Sequence, residues 1–256
     1  MKQGISIIIR NKNEAVYLSQ LLLILNDHYV NDFDEIIVVD NNSTDNSLEI
    51  AKKYNCKIVK IENFSYGRAS NLGIENAQNE YCVFLSSHSV PFGSDFFKNI
   101  NKYFNKDSKI GGLRFCKNLG EAKSFYANKT SNDDLNAFGL MNAASALKKS
   151  VWEKVKFNED VKTSEDKIWT RDISKLGYEV QLIPSIYFYI NIRNFKTEIK
   201  RYRKHKKAME INPDIYNKTV KTNSLYYFFR EFYRAFIIFM RRLRYIIAKL
   251  WVDFTS

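Results

Sequence analysis

Over the first hundred positions, apolar residues fall in short runs separated by polar clusters. Residues 5–9, 36–39, 57–61 and 81–85 are runs of four or five residues rich in Ile, Val and aromatic side chains. These runs predict strands, and the wholly apolar, β-branched 36–39 run suits one buried on both faces of a parallel sheet. Stretches with helical spacing fill the gaps and end near Asn26, Tyr54, Gln78 and Phe104. Strands alternating with helices imply right-handed crossovers and a largely parallel sheet. After the strands come Arg10-Asn11-Lys12-Asn13-Glu14, Asp40-Asn41-Asn42-Ser43-Thr44, Phe64 to Asn71, and Ser86-Ser87-His88-Ser89-Val90-Pro91. In an open α/β sheet such clusters share one edge and face one ligand.

The second half is less regular. Residues 110–116 and 143–147 read as further strands, and residues 118–134 as a polar loop with room for a helix. Residues 167–176 have helical spacing. Ser164 stands where an N-cap belongs, with Glu165 and Asp166 in the first turn. Gly177 ends that helix, and residues 178–183 predict another strand.

At 256 residues the chain holds one sizeable α/β domain and an appendage. Cys56, Cys82 and Cys116 lie in apolar runs without metal or disulfide spacing, which points to a reducing compartment. A strand pattern directly follows Met1, so no signal peptide is expected. The net charge of +12 is uneven: from Arg193 onward, sixteen Lys and Arg stand against five Asp and Glu, a net of +11. The expected division is residues 1–192 as the α/β domain and 193–256 as a basic helical extension.

Four loops converging after parallel strands suit a nucleotide. No Gly-x-Gly-x-x-Gly follows the first strand and no Gly-Lys-Ser/Thr phosphate loop occurs, which disfavours a dehydrogenase and an ATPase of that type. What remains is a nucleotide-binding sheet that works through side chains. Asp40 and Glu14 accept hydrogen bonds from a base edge or ribose, and Arg10, Lys12 and Arg68 neutralise a diphosphate. The other reading of Asp40 is a helix cap.

Three elements in this order resemble the inverting glycosyltransferases of family 2, which have the GT-A fold, over roughly residues 4–190. They are Arg10-Asn11-Lys12-Asn13-Glu14, Val39-Asp40-Asn41-Asn42-Ser43-Thr44-Asp45 and Gly67-Arg68-Ala69-Ser70-Asn71-Leu72-Gly73. The resemblance implies that Arg10, Asn13, Glu14, Asp40, Asn42, Arg68 and Asn71 hold the donor nucleotide. Where the family usually has Asp-x-Asp for a divalent metal, this chain has Ser86-Ser87-His88, similar to a rhamnosyltransferase-like branch. Ser86 and His88 then mark the diphosphate or metal region. Mg²⁺ or Mn²⁺ stays open as a cofactor with His88 as ligand, although two serines replace hard carboxylates. The other role of His88 is a hydrogen-bonded structural histidine. The resemblance further implies that Asp166 is the general base, with Glu165 orienting it or binding the acceptor, and that Trp169 and Arg171 lie on the acceptor side. Read without the family, both acids simply charge a helix start and Trp169 is packing.

Residues 225–254 fit one helix. Leu225, Phe228, Phe229, Phe232, Phe236, Phe239, Met240, Leu243, Ile246, Ile247, Leu250 and Phe254 share a face, while Arg230, Arg234, Arg241, Arg242, Arg244 and Lys249 gather opposite. The uncharged run at 235–240 is far short of the ~18 residues of a spanning helix. Apolar and basic faces together predict a helix lying in an anionic membrane interface, strengthened by residues 196–207, His205 among them. The alternatives are packing on its own domain or on a second subunit, so a homo-oligomer stays open. Nucleic acid is the rival use of the charge, but no nucleic-acid-binding signature accompanies it.

The expected function is an inverting transfer of sugar from a nucleotide-sugar donor to a glycan or lipid-linked acceptor in bacterial surface polysaccharide assembly. The place would be the cytoplasm, at the inner face of the membrane. The alternative is a non-catalytic nucleotide-sugar or glycan-binding module there, for which Ser86 and His88 speak and the Glu165-Asp166 pair does not.

Overall fold

The computed structural model describes residues 3–190, 195–216 and 224–255. In chain order the elements are β1 (Ile5–Asn11), α1 (Ala15–Tyr29), β2 (Glu35–Asp40), α2 (Ser47–Lys53), β3 (Lys57–Lys60), α3 (Tyr66–Glu75), β4 (Tyr81–Leu85), β5 (Ser89–Phe92) and α4 (Lys98–Phe104). Then follow β6 (Ile110–Cys116), α5 (Leu119–Tyr126), α6 (Leu135–Phe138), β7 (Ala144–Lys148), α7 (Lys149–Trp152), α8 (Glu165–Ser174), β8 (Glu179–Tyr189), α9 (Phe195–Ile211) and α10 (Ser224–Thr255).

One eight-stranded sheet runs in the order β3-β2-β1-β4-β7-β6-β8-β5. The first four strands are parallel, as the alternation of strands and helices requires. β7 then runs antiparallel to both β4 and β6, and β5 antiparallel to β8. Strand side chains alternate between faces. Accordingly Ile5, Ile7, Ile9, Ile36, Val38, Tyr81, Val83 and Leu85 join the core layer beneath α1 and α4. Ile8, Ile37, Val39, Cys82 and Phe84 join the layer beneath α3, α7 and α8. This is the GT-A type of α/β architecture: a curled sheet with helices on both faces.

The structure departs from the sequence reading at four places. β5 was expected as loop. It forms at the sheet edge, where Pro91 does not interrupt an inner ladder, and it draws β8 out to Tyr189. α3 begins at Tyr66, so Gly67 to Asn71 lie inside the helix; Ser65 caps it by accepting the Arg68 N–H at 3.1 Å. Ser164 makes no side-chain cap. It sits at φ 67°, and its hydroxyl pairs at 2.6 Å with that of Tyr216. The first compact unit is Met1–Tyr216 and the second Asn217–Ser256. The expected boundary at 192/193 lies outside the described residues, and Phe195–Ile211 belongs to the first unit. Ala208, Ile215 and Tyr216 form a small core with Ile168 of α8, and Arg171 of α8 pairs with Asp214 at 2.9 Å.

Among the described residues the second unit consists of the helix α10. Phe232, Phe236, Phe239, Ile246, Ile247, Arg241, Arg242, Arg244 and Lys249 are exposed on it. The side chains of Leu225, Phe228, Arg230, Arg234 and Leu250, and that of His205 in α9, lie outside the described set. Among the described residues no helix is long and apolar enough to cross a membrane.

Candidate active site

A cavity of about 420 Å³ opens at the carboxyl ends of β1, β2 and β4. Arg10, Asn11, Lys12 and Glu14 line it after β1, and Asn41 after β2. Phe64 before α3 and Tyr66 at its first position line it too, as do Ser86, Ser87 and His88 after β4. Ala143 and Tyr189 complete the wall. The volume suits a nucleotide-sized ligand.

The loops after β1 and β2 are zipped together by short polar side chains. Asp40 is fully buried, and its carboxylate accepts from the Asn11 side chain and from both the hydroxyl and the N–H of Ser43. Asn13, at φ 53°, accepts the Thr44 N–H at 2.7 Å and donates its own N–H to Ser43. Asp45 accepts the Ala15 N–H at the start of α1. Three of the roughly four acceptor positions of the Asp40 carboxylate are thus used inside the loop. After β2 the residue that lines the cavity is its neighbour, Asn41. Asn42, at φ 52°, is exposed and stands outside the cavity wall.

Arg10 joins four segments. Its guanidinium donates to the Tyr66 carbonyl, to Ser70 Oγ, to the Asn142 carbonyl and to Glu165 at 3.1 Å. Glu165 is buried in the first turn of α8. Burial, reinforced by the neighbouring Asp166, pushes its carboxyl above the usual carboxylate range, and Arg10 opposes that shift. Asp166 is half-buried, accepting the N–H groups of Asn142 and Lys167 at 3.2 and 2.8 Å. The Asn142 contact places it beside Ala143 of the cavity wall. The acid pair therefore divides: Glu165 is buried and locked to Arg10, while Asp166 is only half-buried and holds the Asn142 N–H, next in sequence to the lining residue Ala143.

His88 is held from both sides. Its Nδ1 lies 3.0 Å from the Ile190 carbonyl and its Nε2 3.3 Å from Glu14. Tyr17 packs on the ring at 4.3 Å. For a divalent metal the strand end offers two neutral serine hydroxyls, one engaged imidazole and Glu14. Among the described residues no three His, Cys, Asp or Glu side chains converge. Mg²⁺ and Mn²⁺ prefer a set of hard oxygen ligands, and this donor set does not supply one. The protein residues therefore do not fit such a metal.

The remaining expected residues are placed apart from the cavity. Asn71 is buried; it donates to the Phe157 carbonyl and to Glu159, and accepts from Trp152 Nε1 and the Phe157 N–H. It ties α3 to the segment that leads to Glu165 and has nothing left for a nucleotide. A Cβ on Gly67 would collide with the Asn158 carbonyl, so this glycine serves the same close packing. Arg68 is exposed on α3, outside the cavity wall. Trp169 is buried against Phe157 and donates to the Val155 carbonyl, which makes it core rather than acceptor surface. Arg171 is engaged by Asp172 and Asp214. Asn41, Phe64, Tyr66 and Asn142 are the residues the sequence reading missed. Their signals were proximity to the motif acids and, for Tyr66, its place just before Gly67-Arg68.

A family model described as glycosyl transferase family 2 matches residues 6–155. Among curated proteins, the chain is 27% identical over 213 residues to a dolichyl N-acetyl-alpha-D-glucosaminyl phosphate 3-beta-D-2,3-diacetamido-2,3-dideoxy-beta-D-glucuronosyltransferase of Methanococcus voltae, covering 71% of this chain and 65% of that one. It is 30% identical over 187 residues to a poly(ribitol-phosphate) beta-glucosyltransferase of Bacillus spizizenii, covering 65% of this chain and 28% of that one. The chain thus spans less than two thirds of the length of either relative. Among solved structures, a mannosyltransferase of Pyrobaculum calidifontis in complex with GDP-Man and Mn²⁺ superposes with a TM-score of 0.65 at 19% identity, over 82% of this chain and 65% of that one. TarS of S. aureus in complex with UDP-GlcNAc gives 0.59 at 20% identity, over 75% and 59%.

Proposed function

The chain belongs to glycosyl transferase family 2, and from that premise we propose that it is a transferase moving a sugar, with inversion, from a nucleotide-sugar donor to a glycan or lipid-linked acceptor. The observation that carries this reading is the cavity itself. It gathers the polar ends of three parallel strands, and the acid pair of α8 is tied to its wall through Arg10 and Asn142.

In this reading the nucleoside lies among Asn11, Asn41, Glu14, Phe64 and Tyr66, whose amides, carboxylate and rings suit a base edge and a ribose. Lys12 and the Arg10 guanidinium meet the diphosphate, with Ser86 and Ser87 as neutral donors. Asp166 takes the proton from the acceptor hydroxyl as that oxygen attacks the anomeric carbon. The C–O bond to the nucleoside diphosphate breaks on the opposite face, and the diphosphate leaves with the bonding pair. One base suffices, because the leaving group is already a weak base. Glu165 keeps Arg10 in place, and Asp166 stands beside it in the first turn of α8. A divalent cation, present with the donor in the mannosyltransferase neighbour, would meet His88, Glu14 and the two serine hydroxyls among the described residues, so no step is assigned to one.

The setting is surface polysaccharide assembly on the cytoplasmic side of a membrane, with α10 lying in the anionic interface. Its exposed phenylalanines and arginines support that reading. The test of function is a thermal-shift screen against nucleotide sugars. A donor at 100 times its dissociation constant should add about 2.7 kcal/mol, and its free nucleoside diphosphate should compete. A chain that no nucleotide sugar stabilises would contradict the proposal.

A further inference from the structure

Three lysines surround the cavity without a carboxylate partner among the described residues. Lys12 lines it directly. Lys117, just after β6, holds its amine 5.2 Å from the ring centre of Tyr189, one cavity wall. Lys204 of α9 holds its amine 4.4 Å from the ring centre of Tyr66, another wall. The Lys204 contact brings a helix expected to be part of a remote basic extension to the mouth of the site.

Along α9, Lys200, Lys204 and Lys207 recur at helical spacing on the edge that also carries the buried Ala208. The row therefore follows the line where the helix meets the body. All three are exposed. Of the two carboxylates in the helix, Glu198 is taken by Arg201 at 2.9 Å, and Glu210, three residues after Lys207, forms no ion pair with the row among the described residues. Like charges placed together without counter-charges repel one another, which is a cost unless an anion joins them. From Lys200 to Lys207 the row spans about 10 Å of helix axis. One phosphate reaches one or two of these amines, whereas a chain of phosphates reaches all of them.

We infer that the Lys200-Lys204-Lys207 face of α9 is an acceptor-binding lip that takes a chain bearing repeated phosphodiester groups and leads its end past Tyr66 into the cavity. The inference deepens the transferase reading and rests on it for the identity of the cavity. The chemistry that recognises the ligand is charge alone, so affinity falls as salt rises and the sugar between phosphates matters little.

The test is equilibrium binding of a glycerol-phosphate oligomer to the full chain, with inorganic pyrophosphate and with vesicles of equal parts phosphatidylglycerol and phosphatidylcholine as parallel probes. The variant replaces Lys200, Lys204 and Lys207 by Gln; the anchors Ala208, Ile215 and Tyr216 stay, and circular dichroism checks the fold. The triple variant should bind the oligomer roughly tenfold more weakly, the sum of three exposed charge contacts, and show a shallower salt dependence. Binding of pyrophosphate and vesicles should be unchanged. Equal oligomer affinity in both proteins would overturn the inference. So would an equal loss for pyrophosphate, which would assign the lysines to the donor diphosphate, or a loss confined to vesicles, which would assign them to the membrane. None of these readouts needs turnover, so the lip can fail while the transferase reading stands, and the reverse.

Discussion

Arg10 Nη1 and Glu165 Oε1 lie 3.1 Å apart across 155 residues of sequence, and both side chains are largely shielded from water. This pair fastens the loop after the first strand to the helix that carries the acid pair. Breaking one partner leaves the other as an uncompensated buried charge. Arg10→Met should therefore destabilise the fold by about 3–5 kcal/mol in urea unfolding. Glu165→Gln, which keeps an acceptor for the guanidinium, should cost less. Equal costs for the two would show that the pair is not the fastening.

Asp40 and Asn41 are neighbours with different work. Asp40→Ala strands the Asn11 amide and the Ser43 N–H in a buried loop, at about 1–3 kcal/mol for each unsatisfied group. It should lower the melting temperature sharply even without ligand. Asn41→Ala should leave the melting temperature unchanged and weaken donor binding by about 0.5–1.5 kcal/mol, a single hydrogen bond. Calorimetry with the donor found in the screen separates the two.

Lys167 is buried, with its amine on the Gly139 carbonyl at 2.8 Å, a carbonyl that Arg114 also reaches. Burial, with Arg114 adding to it, pulls its pKa from 10.5 down to about 7. Above pH 7 the folded chain then holds this lysine neutral while the unfolded chain keeps it charged. The unfolded state binds more protons, so stability should rise with pH from about 7, by at most about 1.4 kcal/mol per unit. The window closes near pH 8.5, the ordinary thiol pKa. Burial raises the folded thiols of Cys56 and Cys82 to about 12, so above that pH the unfolded state loses protons first and stability falls. Lys167→Met should remove the rise between pH 7 and 8.5 relative to wild type. An unchanged pH profile would contradict the assignment.

The helix α10 should behave as an interface helix. Replacing Arg241, Arg242 and Arg244 by Gln should release the chain from anionic vesicles in a sedimentation assay, at roughly 1 kcal/mol for each charge lost. Undiminished binding by the variant would remove the membrane from the account.

The sequence shows the sheet better than the site. Ile5 to Ile9, Ile36 to Val39 and Tyr81 to Leu85 are legible because strands buried on both faces must be apolar throughout. β5 is not: four residues with a proline have no periodicity, and only pairing with β8 makes them a strand. α9 is legible as a basic helix, but not its place in the first unit: nine of its seventeen residues are charged, and among its described side chains only Ala208 is buried. In the motifs, residue type was legible but direction was not. Asp40, Asn71 and Trp169 have the chemistry of ligand-binding groups, yet they point into the protein and hold segments together. Asn41, one position along, turns to the cavity. A polar side chain that bonds two loops and one that bonds a ligand look alike until the backbone around them is known.

In the proposed transfer, Asp166 removes the acceptor proton. The most direct measurement is sugar transfer, or donor hydrolysis where no acceptor is known, by wild type and Asp166→Asn. Both should first be shown to bind the same nucleotide sugar by thermal shift. Asparagine still accepts the Asn142 N–H through its carbonyl oxygen, so the variant should fold and bind donor as wild type does, with turnover lowered by about 10²-fold or more. Turnover within about twofold of wild type would contradict the account, because a general base contributes far more than that.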